Sequence, residues 1–178
     1  MKKFYFFLIA AALFSACNDA PTSDSSTGDS TTAKSTVALP YTASYSSSFD
    51  KGSDEHNAAI LQGSWKDWET NNIDNMKNWV ADSIVAYQSD GSVVRGVDSL
   101  MANWKRARGK YSMVIDTVQA VTSIYSNDRK QNWVLVWASE INTNADGTKD
   151  TVALMETWRV NKDGKADFLL QYERSKKK

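Results

Sequence analysis

From residue 111 onward the chain is committed to long strands joined by tight turns. The stretches 111–125, 133–142, 151–160 and 168–173 are dense in β-branched and aromatic residues, and no proline interrupts them. Such side chains suit a pleated, half-buried surface, and a proline would have argued against a central strand. Between the stretches lie Ser126-Asn127-Asp128, Asp146-Gly147 and Asp163-Gly164, residues that tolerate the positive φ of hairpin turns. Runs this long exceed the usual strand and should twist and curl rather than lie flat. One face of such a meander has to be buried against something.

The preceding segment supplies helices. Ser53-Asp54-Glu55 offers a cap and acids suited to a helix N-terminus. Ala58, Leu61, Trp65 and Trp68 then recur at helical spacing. Asn71-Asn72 breaks that stripe, and Ile73, Met76, Trp79 and Val80 mark a second, short helix. A strand over 83–88 ends at Asp90-Gly91, Val93-Val94-Arg95 forms a brief strand, and Val97, Leu100, Met101 and Trp104 make a third helical stripe. Helices first and a strand meander afterwards predict an α+β domain with the helices on one face of the sheet.

The N-terminus has a different character. Met1-Lys2-Lys3 precedes an apolar run that ends at Phe14-Ser15-Ala16-Cys17. The run is too short to span a bilayer, which takes ~20 apolar residues, but it suits the core of a secretion signal. Cys17 is the only cysteine, and its setting resembles the bacterial lipobox, with Phe14 where leucine is usual. The expected organisation is a lipoprotein signal peptide over 1–16, an acylated Cys17 heading a Ser/Thr-rich tether over 17–50, and one domain over 51–178. Several acyl chains would hold Cys17 in a lipid bilayer. Asn18 directly after it favours, by resemblance to Gram-negative sorting signals, the outer membrane. Both prolines, Pro21 and Pro40, fall in the tether, and its composition is too polar to offset chain entropy by burial. Small islands at Val37-Ala38-Leu39 and Tyr41/Tyr45 are candidates to dock on the domain.

Charge and residue types exclude several functions. Removing residues 1–16 takes two lysines from 21 basic side chains and none from 21 acidic ones. The remainder is slightly acidic and lacks the basic field of a nucleic-acid binder. The Lys176-Lys177-Lys178 tail reads as a solvated end. A single histidine, His56, and a single cysteine make a zinc site untenable, and no other cofactor is implied. His56 falls in the first helical turn, and no Gly-x-Ser-x-Gly elbow or phosphate loop occurs.

The order of elements resembles a known family. The stretch Trp79-Val80-Ala81-Asp82-Ser83-Ile84-Val85, then Asp90-Gly91, Arg95-Gly96, a helix with Leu100 and Trp104, and four strands with Asp163-Gly164-Lys165 before the last are similar to the nuclear transport factor 2-like superfamily, above all its SnoaL-like branch. The resemblance covers roughly residues 54–174. It implies a cone-shaped barrel in which a strongly curved antiparallel sheet wraps a long N-terminal helix and leaves a pocket, with two further short helices. It also implies frequent dimers. The superfamily includes ketosteroid isomerase, cyclases, dehydratases and many non-enzymes, so fold alone gives no function. Asp82 matches an acidic position that often serves structure.

What remains is carboxylate chemistry among apolar side chains. Alternation puts Val152, Leu154, Glu156, Trp158 and Val160 on one face. Glu156 is the one charge there and a candidate proton acceptor. On the preceding strand Trp133, Leu135, Trp137 and Ile141 are expected on the inner face, with Glu140 on the other. Phe168, Leu170 and Tyr172 are expected together on the last strand, which would make Tyr172 a proton donor beside Glu156. The bland alternative for Glu156 is a cross-strand salt bridge on the outer face. Asp116, flanked by Val114 and Val118, invites the same two readings. Candidate pocket residues are therefore Trp65, Trp137, Glu156, Trp158 and Tyr172. Three roles compete: a non-catalytic module binding a small apolar or amphipathic ligand or a protein, a proton-transfer enzyme using Glu156 and Tyr172, and a structural homodimer. The first asks least of the residues.

Overall fold

The computed structural model describes residues 38–175. The expected signal peptide over 1–16, Cys17, most of the expected tether and the lysine tail lie outside the described residues. No helix among the described residues is long and apolar enough to cross a membrane.

The domain is α+β. Strand β1 (Phe49–Lys51) leads into α1 (Asp54–Ile60), a π-helical turn (Leu61–Lys66) and α2 (Asp67–Glu69), which follow one another without interruption. Ser53 caps α1 by accepting from the Glu55 N–H. Then come α3 (Ile73–Met76), β2 (Val80–Tyr87), β3 (Val93–Arg95) and α4 (Val97–Arg108). The meander follows as β4 (Tyr111–Ser126), β5 (Gln131–Asn144), β6 (Lys149–Val160) and β7 (Ala166–Ser175). Gly147 and Gly164, both at positive φ, sit in the turns after β5 and β6, as the hairpin signals predict.

The sheet has the order β1-β4-β5-β6-β7-β2-β3. It is mixed, which corrects the expectation of a purely antiparallel sheet: β2 pairs with β7 in parallel. A parallel neighbour needs a long connection, and the four strands and one helix between β2 and β7 supply it. The tether was expected to reach residue 50, yet the sheet already begins at Phe49. Ser46, Ser47 and Ser48 converge on the Asp128 carboxylate. Of the aromatic islands, Tyr45 docks edge-on against Trp133 at 6.1 Å, whereas Tyr41 stays exposed.

The core lies between the helices and the inner face of β5, β6 and β7. Ile84, Leu100, Val134, Val136, Trp158 and Leu169 are all but inaccessible, and Trp104 of α4 meets Trp158 of β6 edge-on at 6.2 Å. Gly63 allows the close approach of Trp79: a Cβ there would fall 2.1 Å from that ring. Arg108, buried at the end of α4, donates to the carbonyls of Trp68, Glu69 and Tyr111. It thereby satisfies the C-terminal carbonyls of the 54–69 helical stretch.

Alternation on β6 is as expected, with Val152, Leu154, Glu156, Trp158 and Val160 all buried. On β5 and β7 it is reversed. Val134, Val136, Ala138, Glu140 and Asn142 point inward, so Trp137 lies on the outer face. Leu169 is buried while Tyr172 is 56% exposed. The reason is register. Val136 pairs with Glu156 and Glu140 with Val152, while Gln171 pairs with Glu156 and Tyr172 with Met155. Residues paired across strands share a face.

Candidate functional site

A cavity of about 300 Å³ opens between α4, the π-helical turn and the inner face of β5, β6 and β7. Trp65, Trp68, Trp104 and Trp158 form much of its wall, with Glu140 and Glu156 inside. The helical stretch contributes Trp65 and Trp68, α4 contributes Trp104, and the strands contribute the acids. Strand pairing brings these two glutamates from neighbouring strands onto one surface.

Each glutamate is held through both of its oxygens. Glu140 accepts from the Trp68 indole N–H at 2.8 Å and from the Asn142 amide at 2.6 Å. Glu156 accepts from the Trp158 indole N–H at 2.9 Å and from the Gln171 amide at 2.8 Å. One indole and one amide per carboxyl is a repeated arrangement. Both acids are 6% exposed, and neither takes part in an ion pair among the described residues. The salt-bridge alternative for Glu156 is thereby removed.

Burial without a counter-charge disfavours ionisation. It pushes Glu156 up to about 7, against the partial opposition of its Gln171 and Trp158 donors. Burial likewise raises Glu140, again opposed by its hydrogen bonds. Asp116 faces Glu140 in register across β4 and β5. It is raised by burial first and by the Glu140 charge second. Asp116 borders a second, shallower depression beside Trp65 and Glu69. Glu140 thus connects the cavity to an acid behind it. Tyr111 lines the cavity, and burial raises its phenol.

Of the residues expected from sequence, the structure brings Trp65, Glu156 and Trp158 to the cavity and leaves Trp137 and Tyr172 outside it. Glu140, Asn142, Gln171, Trp68, Trp104 and Tyr111 were not foreseen. Asp82 is exposed and lies with the start of α4. His56 does not line the cavity. Among the described residues no cluster of histidine, cysteine and acids could hold a metal ion.

No family model matches the sequence, and no curated protein matches it either. The fold, in contrast, has many solved counterparts. An NTF2-like protein of unknown function from Exiguobacterium sp. 255-15 superposes with TM-score 0.55 at 15% identity, over 65% of this chain and 98% of that one. AusH from Aspergillus nidulans gives 0.58 at 10% identity, over 72% and 90%. Delta 5-3-ketosteroid isomerase from a Mycobacterium species gives 0.54 at 21% identity, over 68% and 98%. At these identities the likeness shows an NTF2-like fold and stops there.

Proposed function

We propose that the chain is an exported, lipid-anchored protein whose domain binds a small molecule in the tryptophan-walled cavity. The reading takes the sheet as curling round the helices into a cone with this cavity at its mouth. The observation that carries it is the pair of buried glutamates, each fixed through both oxygens inside an open space. Four aromatic rings and oriented acceptors describe a recognition site. Fixed acceptors with lone pairs to spare are suited to holding a ligand's donors. The export part rests on the lysines, apolar run and Cys17 of the N-terminus.

Trp104 reports on the cavity directly. A screen of small amphipathic molecules against the full chain should find ligands that shift tryptophan emission and raise the melting temperature. Trp104→Phe should remove most of the emission change. If no compound moves either signal, the binding reading fails.

Proton transfer is the second reading, favoured by one observation: Glu156 titrates near neutrality inside the cavity. Its partner would be Tyr111 rather than Tyr172, since only the former borders the space. Turnover of an enolisable ligand, abolished in Glu156→Gln, would select this reading over plain binding.

A further inference from the structure

We propose that the ligand of this cavity is a small organic cation, an ammonium group seated between the tryptophan rings and against Glu140 and Glu156. The inference rests on the small-molecule reading above and adds the charge class of the ligand.

Three features point there independently. The first is charge balance. Inside lie Glu140 and Glu156, with Asp116 directly behind Glu140. At the mouth lie Asp90 from the β2–β3 turn and Glu173 from β7, against a single lysine, Lys110. Buried carboxyls without a cationic partner are costly, and a bound cation relieves that cost where no side chain does. The second is the wall. Indole faces attract cations through their quadrupole, tryptophan most strongly. Indole N–H groups of Trp68 and Trp158 are already spent on the glutamates, so those two rings also hold the acids in place.

The third is a set of polar atoms without partners among the described residues. The Asn142 side-chain carbonyl is buried with no hydrogen-bond donor, although its amide holds Glu140. The Trp65 indole N–H is also buried without a hydrogen-bond partner, although it lies near enough to Glu156 to favour the charged form. Both residues are more than nine-tenths buried and both line the cavity. One unpaired acceptor and one unpaired donor fit a ligand that carries a hydroxyl besides its charge. An amino alcohol supplies both.

A proton is the competing occupant. The acids can stay neutral by retaining protons, and the cavity would then suit an uncharged ligand. A cation instead expels the proton from Glu156 as it binds. The other titrating groups that face Glu156 or its neighbour are Glu140 of β5, Asp116 and Tyr111 of β4, Glu173 of β7, Asp90, Lys110 and, beyond Asp116, Glu69.

The deciding experiment compares choline with its neutral isostere, the alcohol in which a quaternary carbon replaces the nitrogen. Shape and hydroxyl are the same; only the charge differs. Calorimetry on the full chain in detergent at about pH 8 should give choline roughly tenfold tighter binding, a preference of the size expected for a desolvated cation on aromatic rings. Near neutrality the heat of choline binding should change with the buffer's ionisation enthalpy, because a proton is released. Glu156→Gln should shrink both the preference and the proton release, leaving the part due to Glu140 and the indole rings. Should that variant not fold, the isostere pair and the buffer comparison on the unmodified chain decide. Equal binding of the two compounds overturns the cation inference while leaving the small-molecule reading intact. Failure of both to bind overturns the inference, and the broader screen then judges the earlier reading separately.

Discussion

Glu156 shows how one side chain couples the cavity to the stability of the fold. A carboxyl raised by burial holds its proton more tightly in the folded chain than in the unfolded one. Well below its ordinary value of 4.5 both states are protonated and the group contributes no difference. Between that value and about 7 the folded chain keeps a proton that the unfolded chain has lost, so stability falls as pH rises. Above about 7 the loss is complete, on the order of 3 kcal/mol for this residue alone. Glu140 and Asp116 act in the same direction. Glu156→Gln should therefore flatten the fall of melting temperature between about pH 5 and pH 8 without abolishing it. It should also start from a lower value at acid pH, since an amide cannot accept from both Trp158 and Gln171. Parallel pH curves for the two proteins would show that Glu156 is not the group responsible. The sequence made this residue legible because its strand has only one apolar face.

At the scale of elements, the same clarity was missing from β5 and β7. Residues 133–142 are apolar on both faces: Trp133, Leu135 and Trp137 on one, Val134, Val136 and Ala138 on the other. Ring size favoured the tryptophans as the buried set, but Trp133 is satisfied outside, beneath Arg159 at 5.9 Å and against Phe168 at 5.8 Å. The missing signal was present in the turns. That holds for β5, where Asp146-Gly147 fixes the pairing with β6, and not for β7, where a one-residue slip between Arg159 and Val160 separates the Asp163-Gly164 turn from the rest of the ladder. Counting outward from Asp146-Gly147 places Glu140 on the Glu156 face and Trp137 opposite. Counting from Asp163-Gly164 would put Leu170 and Tyr172 there, and it is the slip beside Val160 that brings Gln171 to Glu156 and turns Tyr172 away. Asp116 is hidden in the same way: the β4–β5 register slips by one between Val118 and Ala120, so counting from the turn after Ser126 would set Ile141 rather than Glu140 opposite it. What no local pattern carried is the role of Arg108, because its acceptors come from a distant helix. It is the pin between α4, the end of α2 and the start of β4. Arg108→Met keeps the buried stem and removes three donated bonds, although the Trp68 carbonyl still accepts from the Asn71 N–H, and this should cost about 2–4 kcal/mol in denaturant unfolding. Arg108→Lys should rescue little, as a single ammonium cannot reproduce the fork. An unchanged midpoint for Arg108→Met would mean the carbonyls find other donors.

For the whole molecule, the domain and its address are separate questions with separate physics. The sheet and helices account for a cavity, and no helix among the described residues is long and apolar enough to cross a membrane. The proposed attachment rests on lipid on Cys17, and the rival source is the apolar run before it. These differ in an observable way. A thioether-linked diacylglycerol with a further acyl chain gives lasting attachment, and it depends wholly on one sulfur. An uncleaved apolar run depends on residues 4–16 and is indifferent to that sulfur. Expressed in a Gram-negative host fed an alkyne-tagged fatty acid, the chain should take up the tag and sediment with outer membranes. Cys17→Ser should lose the tag entirely, and a precursor retaining its first sixteen residues should accumulate. Loss of the tag while the first sixteen residues are still removed and the protein still sediments with outer membranes would mean that processing and sorting do not depend on Cys17. A tag that persists in Cys17→Ser would place the lipid elsewhere and sink the anchor reading, while leaving the cavity and its ligand untouched.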